Sequence, residues 1–341
     1  MPSVPVLVAF AVAGAALAWR GGDMLVQASD RLGAYYGLPP IVQGAIIAAV
    51  GSSFPELSSI VIATLRYQSF DIGVGAVVGS AVYNILIIPA VSALVGEGQR
   101  LASNRDLVYK EAQFYLLSIA VLVLTFSLAV IYSPATDTAG LNGFVTRSLA
   151  LIPLGLYGLY IFIQQQDTAD YDADPSNADG IDATRQWGLL VAGLLVILVA
   201  VERLVHSVDL IGTSLGVPGF IMGVTIAAGA TSLPDGLVSV RAARNGRGVA
   251  SLANVLGSNT FDLLVAIPVG VLIAGSTTIN FAMAIPMFGV LTLSTILLFT
   301  VLRTGLALSD AESYALLVSY LVFVGWVVLE TVSDAVNLLP N

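Results

Sequence analysis

The sequence contains no cysteine, one histidine (His206) and one lysine (Lys110), and only 10% of its 341 residues are charged. The first absence excludes disulfides, thiolate metal sites and cysteine nucleophiles. The scarcity of charge excludes an ordinary soluble domain, in which about a quarter of residues are charged. What fills the chain instead is apolar: 57% of residues are hydrophobic, in stretches of 20 or more that recur from end to end. Each is long enough to cross a hydrocarbon core of about 30 Å. The pattern predicts ten spans, at about 5–30, 39–65, 71–96, 108–132, 144–165, 187–212, 218–243, 249–274, 278–302 and 312–335. The first has no Lys or Arg before Arg20, so it lacks the basic n-region of a cleaved signal peptide and is expected to be retained.

Net charge is −9, and the excess lies in one polar segment from about Gln164 to Arg185, which holds Asp167, Asp170, Asp172, Asp174, Asp179 and Asp182. Asp170-Tyr171-Asp172-Ala173-Asp174 opens like a calcium-binding EF-hand loop. Pro175 then stands where the turn glycine belongs, and Ile181 where the bidentate Glu belongs. A flexible, solvated linker is the better reading. It divides the chain into a first five-helix unit (1–165), an acidic linker (166–186) and a second five-helix unit (187–341). Sixteen Asp against one Lys also suit a high-salt organism. If the spans alternate sides, Arg31, Arg100, Arg105, Lys110, Arg185, Arg241, Arg244, Arg247 and Arg303 share one side, leaving Arg66 and Arg147 on the other. The positive-inside rule makes the first side cytoplasmic, with both termini outside and the linker inside.

The two units are related. A shift of 179 lays Gly37–Glu56 (GLPPIVQGAIIAAVGSSFPE) over Gly216–Asp235 (GVPGFIMGVTIAAGATSLPD), with eight identities in twenty and no gap. The same shift pairs Asp23 with Glu202 and Asp30 with Asp209; one gap further on, Gly79-Ser80-Ala81-Val82-Tyr83-Asn84 falls over Gly257-Ser258-Asn259-Thr260-Phe261-Asp262. Five spans is an odd number, so the units enter the membrane from opposite faces. Inverted repeats of this kind build secondary transporters, with the substrate site at the repeat interface near the midplane.

Glu56, Asn84, Asp235 and Asp262 fall near the centres of their spans, where an unpaired charge costs at least about 2.5–3.5 kcal/mol. Around them, Gly51-Ser52-Ser53-Phe54-Pro55-Glu56 and Ala230-Thr231-Ser232-Leu233-Pro234-Asp235 are rich in hydroxyls. Pro55 cannot donate to Gly51, nor Pro234 to Ala230, which frees those carbonyls. A broken helix survives in a membrane only where it faces protein or a wet cavity. Carboxylates, hydroxyls, an amide and loose carbonyls add up to an all-oxygen site suited to a hard cation such as Ca²⁺ or the similarly sized Na⁺. The structural alternative is interhelical hydrogen bonding that only holds a bundle together. That alternative suits Ser80 or Ser258 alone better than three carboxylates with no basic residue in their motifs. Arg20 with Asp23, and Glu202 with Arg203, offer their own counter-charges as structural pairs or gate elements. His206, one turn from Glu202, reads as a satisfied bundle residue rather than a proton carrier.

GSSFPEL with GSAVYNIL in the first half, and ATSLPDGLVSVRAARNG with NVLGSNTFDLL in the second, resemble the two α-repeats of the cation/calcium exchanger superfamily. The sequence is most similar to sodium/calcium exchangers of the potassium-dependent branch, over nearly the whole chain, including the Gly21–Val26 run. The resemblance implies an all-α membrane protein of ten transmembrane helices, arranged as two inverted five-helix repeats, whose second, third, seventh and eighth helices surround the ions. Carried over by resemblance, Glu56 and Asp235 hold Ca²⁺ directly, and Asn84 and Asp262 complete the ion sites. Ser53 and Ser232 supply sodium-site hydroxyls, Ser80 and Ser258 are polar neighbours, and Ala49 and Ala228 lend carbonyls; Ser52 and Thr231 belong to the same motifs. Ser52 replaces the usual Thr, Ala81 the common Asn, and Asp235 is shorter than the Glu of many prokaryotic relatives, which bears on ion stoichiometry.

Three ionised carboxylates carry −3, so such a site holds Ca²⁺ plus one monovalent ion or several Na⁺, not both sets. Mutual exclusion is the physical basis of exchange. The implied function is Na⁺/Ca²⁺ antiport by alternating access, with K⁺ co-transport tied to the leftover charge of Asp262. Ca²⁺/H⁺ exchange is the nearest alternative. An intramembrane aspartyl protease would need a GxGD context that is absent around Asp235 and Asp262, and a channel would leave the paired repeats unused. No enzymatic activity, resident cofactor or nucleic-acid partner is expected; the partners are the ions and the bilayer.

Overall fold

The computed structural model describes residues 4–36, 49–96, 100–105, 107–135, 141–167 and 180–333. The first long helix, α1 (Val4–Tyr35), is followed by a short α2 (Ala49–Ser52) and by α3 (Phe54–Tyr67). The span expected from about 39 is therefore seen only from Ala49 onward, the rest lying outside the described residues. Next come α4 (Phe70–Val95), then α5 (Ala112–Tyr132) entered through a π-helical turn at Leu107–Glu111, and α6 (Arg147–Asp167). The second half repeats the order: α7 (Ala183–Leu215), the pieces α8 (Gly219–Met222), α9 (Ala228–Thr231) and α10 (Leu233–Arg244), then α11 (Gly248–Phe261) running into α12 (Ile267–Ala274). It closes with α13 (Phe281–Arg303) and α14 (Asp310–Ser333). The acidic run at 168–179, including the EF-hand-like segment, lies outside the described residues.

Among the described residues, eight helices are long and apolar enough to cross a membrane, and a ninth path is bent by 43° where α9 meets α10. The protein is a predominantly helical, multi-pass membrane protein. Burial sorts the spans: in the most apolar window of Phe70–Val95, 83% of residues are buried, and in that of Gly248–Ala274, 78%, against 22–44% in the other six. These two form the centre. Apart from a few buried polar residues such as Asn84, Asn254, Asn259 and Asp262, both are largely apolar or small all round, as suits a helix wrapped by protein.

The all-α expectation needs one amendment. Residues 142–146 and 276–280, which overlap the expected starts of two spans at about 144 and 278, are instead extended and pair antiparallel as β2 (Asn142–Thr146) and β3 (Ser276–Asn280). A second ribbon joins β1 (Leu101–Ala102) to β4 (Ala307–Leu308). Thr277 and Thr278 are β-branched, and pairing satisfies backbone groups that would otherwise be left bare at a span's end.

Around the centre lie α1 and α7, packed on each other along much of their lengths. Small residues let them close: a Cβ on Gly21 would lie 2.9 Å from the carbonyl oxygen of Gly193, and the reverse also holds. Asp23 of α1 pairs with Arg241 of α10, not with Arg20 as its sequence neighbourhood suggested. Glu202 of α7 does meet Arg203 at 3.3 Å, but also Arg66 of α3 at 2.9 Å, and it accepts from the Tyr67 hydroxyl at 3.1 Å. His206 stacks on Tyr67 with ring centroids 5.3 Å apart. Each half's first helix is thus tied by an ion pair to the other half's second helix. Deeper in, fully buried Ile60 of α3 is wedged between Gly73 of α4 and Gly270 of α12, with no room for a side chain at either glycine.

Candidate cation site

The two proline motifs break their helices as the sequence suggested. Ser53 and Ser232 are the turning residues, and Pro55 and Pro234 sit in the first turn of α3 and α10, where a missing N–H costs nothing. Glu56 and Asp235 are each the third residue after the break. Both carboxylates therefore lie at helix N-termini, whose free N–H groups and dipole favour negative charge. Asp262 opens a π-helical turn, Asp262–Ala266, between α11 and α12, an irregularity frequent at functional sites. Asn84 stands in the middle of α4.

These elements meet at the buried centre. Glu56, Asp235 and Asp262 each offer a carboxylate oxygen, and the three oxygens lie within 4.8 Å of one another, although all three residues are fully buried. At an effective dielectric of about 20, ionised carboxylates that close repel by roughly 3–4 kcal/mol per pair. Among the described residues no ion pair reaches them; Arg66 and Arg203 pair with Glu202, and Arg241 with Asp23.

Hydrogen bonds satisfy only part of the cluster. Ser80 donates to Glu56 Oε1 (3.1 Å), and Ser258 to Asp235 Oδ1 (2.8 Å), with Ser52 3.1 Å from Ser258. Asn84 donates to Asp235 Oδ2 (2.8 Å). Ser232 lies 2.7 Å from Ser80 and 2.8 Å from the Ala228 carbonyl, while Thr231 donates to Ala227 and stands beside Glu56. Five buried oxygens remain without a hydrogen-bond partner: Glu56 Oε2, both oxygens of Asp262, Asn84 Oδ1 and Ser53 Oγ, the last beside Asp262. Buried acceptors left bare cost about 1–3 kcal/mol each, more when charged. Four of the five are carboxylate or amide oxygens, the kind of ligand a hard cation takes.

Of the residues singled out from sequence, Glu56, Asp235, Asp262, Asn84, Ser53, Ser52, Ser80, Ser232, Ser258 and Thr231 are brought together. Ala228 joins through its carbonyl; of Ala49 only the backbone, at the start of α2, is described. Two residues were missed. Asn259 accepts from Asn84 (3.0 Å) and donates to the Ala81 carbonyl and the Tyr115 hydroxyl, both at 3.1 Å. The repeat carried a signal for it: Asn259 faces Ala81 in the alignment, and the Ala81 carbonyl accepts from its side-chain amide. Tyr115, from α5, had none.

A helical membrane protein that gathers three uncompensated carboxylates and free hydroxyls at its centre has the build of a cation carrier. The chain belongs to the sodium/calcium exchanger protein family, which it matches over residues 6–165 and 185–329. It is 24% identical over 332 residues to the sodium/calcium exchanger MaX1 of Methanosarcina acetivorans, covering 89% of this chain and 93% of that one. A 66-residue stretch, 19% of this chain and 11% of the relative, is 46% identical to the human sodium/potassium/calcium exchanger 4. The fold is similar to that of the sodium-calcium exchanger NCX_Mj, with a TM-score of 0.66 at 23% identity, over 95% of this chain and 99% of that one.

Proposed function

We propose that the chain exchanges Na⁺ for Ca²⁺ across the cell membrane by alternating access. The observation that carries this reading is the set of partnerless oxygens beside three buried carboxylates. Ca²⁺ takes six to eight oxygens, each contributing most when it has no competing donor. Glu56 and Asp235 bind Ca²⁺ directly. Asn84, Asp262, Ser53, Ser232, Ser80, Ser258, Ser52, Thr231 and the carbonyls of Ala49 and Ala228 complete the overlapping calcium and sodium sites. Charge enforces the exchange, because Ca²⁺ and a full set of Na⁺ would overfill a site of −3.

The architecture behind this function is ten transmembrane helices in two inverted five-helix repeats, 1–165 and 187–341, around the linker 166–186. The ribbons support it: β1 follows the third span and pairs with the loop before the tenth, while β3 follows the eighth and pairs with the loop before the fifth. Both termini face outside and the linker is cytoplasmic. A cysteine introduced as Ser176→Cys, in a chain with no other, is expected to react with an impermeant maleimide only once the inner face is opened; labelling from outside intact cells reverses this topology.

In reconstituted vesicles, calcium uptake is expected to follow an imposed sodium gradient and to ignore a pH gradient. Uptake driven by pH alone would replace this reading with Ca²⁺/H⁺ exchange. With Ca²⁺ on Glu56 and Asp235, the charge of Asp262 is left over, and K⁺ neutralises it. Replacing K⁺ by a large organic cation at fixed Na⁺ is then expected to slow the wild type and leave Asp262→Asn unmoved. A wild type indifferent to K⁺ removes potassium from the cycle.

A further inference from the structure

A second polar cavity, of about 440 Å³, opens where α3 and α12 end, bordered by Thr64, Gln68, Asp71, Ala274 and Thr277. It is separate from the carboxylate cluster. Thr64 is eight residues beyond Glu56 on the same helix, about 12 Å along its axis, and the Ile60 wedge lies between. Three of its oxygens are buried without a hydrogen-bond partner: Thr64 Oγ1, Thr277 Oγ1 and Asp71 Oδ1. The two threonines are only 6% and 8% exposed. A polar side chain of that kind normally finds a partner inside the protein.

The bland account of Asp71 is that a carboxylate near the start of α4 answers that helix's dipole. That interaction acts through space and leaves Asp71 Oδ1 buried without a hydrogen-bond partner. Among the described residues, no ion pair joins it to a cation of the protein. Arg147 lies over Gly275 and donates to the Leu272 carbonyl, and Arg66 is held by Glu202. The other acid nearby, Asp209, is 3.5 Å from the Ser69 hydroxyl. The carbonyl ends of two helices, α3 at Tyr67 and α12 at Ala274, border the same cavity and favour positive charge there, although Gln68 donates to the Thr64 and Leu65 carbonyls and Arg147 to that of Leu272. The cavity is roomy enough for several waters at about 30 Å³ each.

We propose that this cavity is a second cation site, which holds a partly hydrated Ca²⁺ through Asp71, Thr64 and Thr277 on its way to or from the carboxylate cluster. One carboxylate and neutral oxygens bind weakly, with a Kd on the order of 10⁻⁴–10⁻³ M. The site's work is to raise the local concentration of the ion at one mouth of the path, the outer one in the topology above. The proposal rests on the exchanger reading for the identity of the ion, but occupancy of the cavity does not depend on transport.

The test therefore separates the two. Mn²⁺ binding, counted by loss of the free-ion resonance, is measured on Glu56→Gln/Asp235→Asn/Asp262→Asn, which lacks the central charges. One weak Mn²⁺ per chain, displaced by millimolar Ca²⁺ and lost on adding Asp71→Asn, is the expected result. No weak binding, or binding indifferent to Asp71→Asn, overturns the proposal whatever the wild type transports. If the triple variant fails to fold, the count is made on wild type, where Asp71→Asn or Thr64→Val/Thr277→Val should remove the weaker class and leave the tighter. In vesicles of known orientation, Asp71→Asn is further expected to raise half-saturating Ca²⁺ at least about threefold from the face of the cavity and not from the other. An equal change from both faces counts against it.

Discussion

Glu56→Gln, and separately Asp235→Asn, is expected to abolish calcium flux while leaving the protein folded and inserted. Each change keeps the shape of the side chain and removes one of three negative charges from a pocket that has no other source of them. For a divalent ion the loss is at least about 100-fold, since even partners that only support metal ligands cost 10–100-fold. Folding should survive, because the unliganded cluster is self-repelling and either change relieves it. Asp235→Asn keeps Asn84 and Ser258 within hydrogen-bonding reach. Flux is read as ⁴⁵Ca²⁺ uptake in vesicles, and folding as a monodisperse detergent-solubilised peak with a Tm at or above that of wild type. Wild-type flux in either variant would mean that the ion binds elsewhere.

The second large effect is expected at Ile60, whose side chain stands between the carboxylate cluster and the cavity at Asp71. Ile60→Ala should lower stability by about 2–5 kcal/mol, the range for truncating a fully buried aliphatic side chain. Gly73 and Gly270 carry no atoms that could fill the void. The gap would join two groups of bare oxygens, so water and small cations should enter it, unlike an apolar cavity, which stays dry. The expected readout is ²²Na⁺ leaving loaded vesicles with no Ca²⁺ on the opposite side, a leak that the wild type does not show. A destabilised variant that still requires Ca²⁺ for Na⁺ release would reduce Ile60 to packing alone.

The central acids were legible in sequence because two independent signals coincided on them. Duplication put Glu56 over Asp235 and Asn84 over Asp262, and the prolines at 55 and 234 marked where the helices had to break. The breaks lie where chain chemistry forbids a hydrogen bond, so local reasoning suffices there. It fails where partners are chosen across the bundle. Arg20 and Asp23 are neighbours on one helix face, yet Asp23 takes Arg241, 218 residues away. Tyr115 reaches Asn259 from a helix with no motif, over 144 residues. Nothing in α5 distinguishes that tyrosine from one anchoring a helix at the lipid interface. The ribbons were missed for a related reason: their strands are short and abut a span, and only their partners in the other half make them strands.

The reciprocal ion pairs also constrain how the protein is made. When α1 to α6 have left the ribosome, Asp23 still lacks Arg241 and Arg66 still lacks Glu202, while the Gly21 notch has no α7 to fill it. Glu56 then has the Ser80 hydroxyl but no counter-charge, and an uncompensated acid costs about 2.5–3.5 kcal/mol near the midplane. Its later neighbours, the chain around Thr231 and Ser232, have not been synthesised. The first half alone is therefore expected to be a waiting intermediate, completed only when the second half supplies these partners. Synthesised as two separate polypeptides, the halves would each expose their acids to lipid and to quality control, and would need each other in the same bilayer to survive.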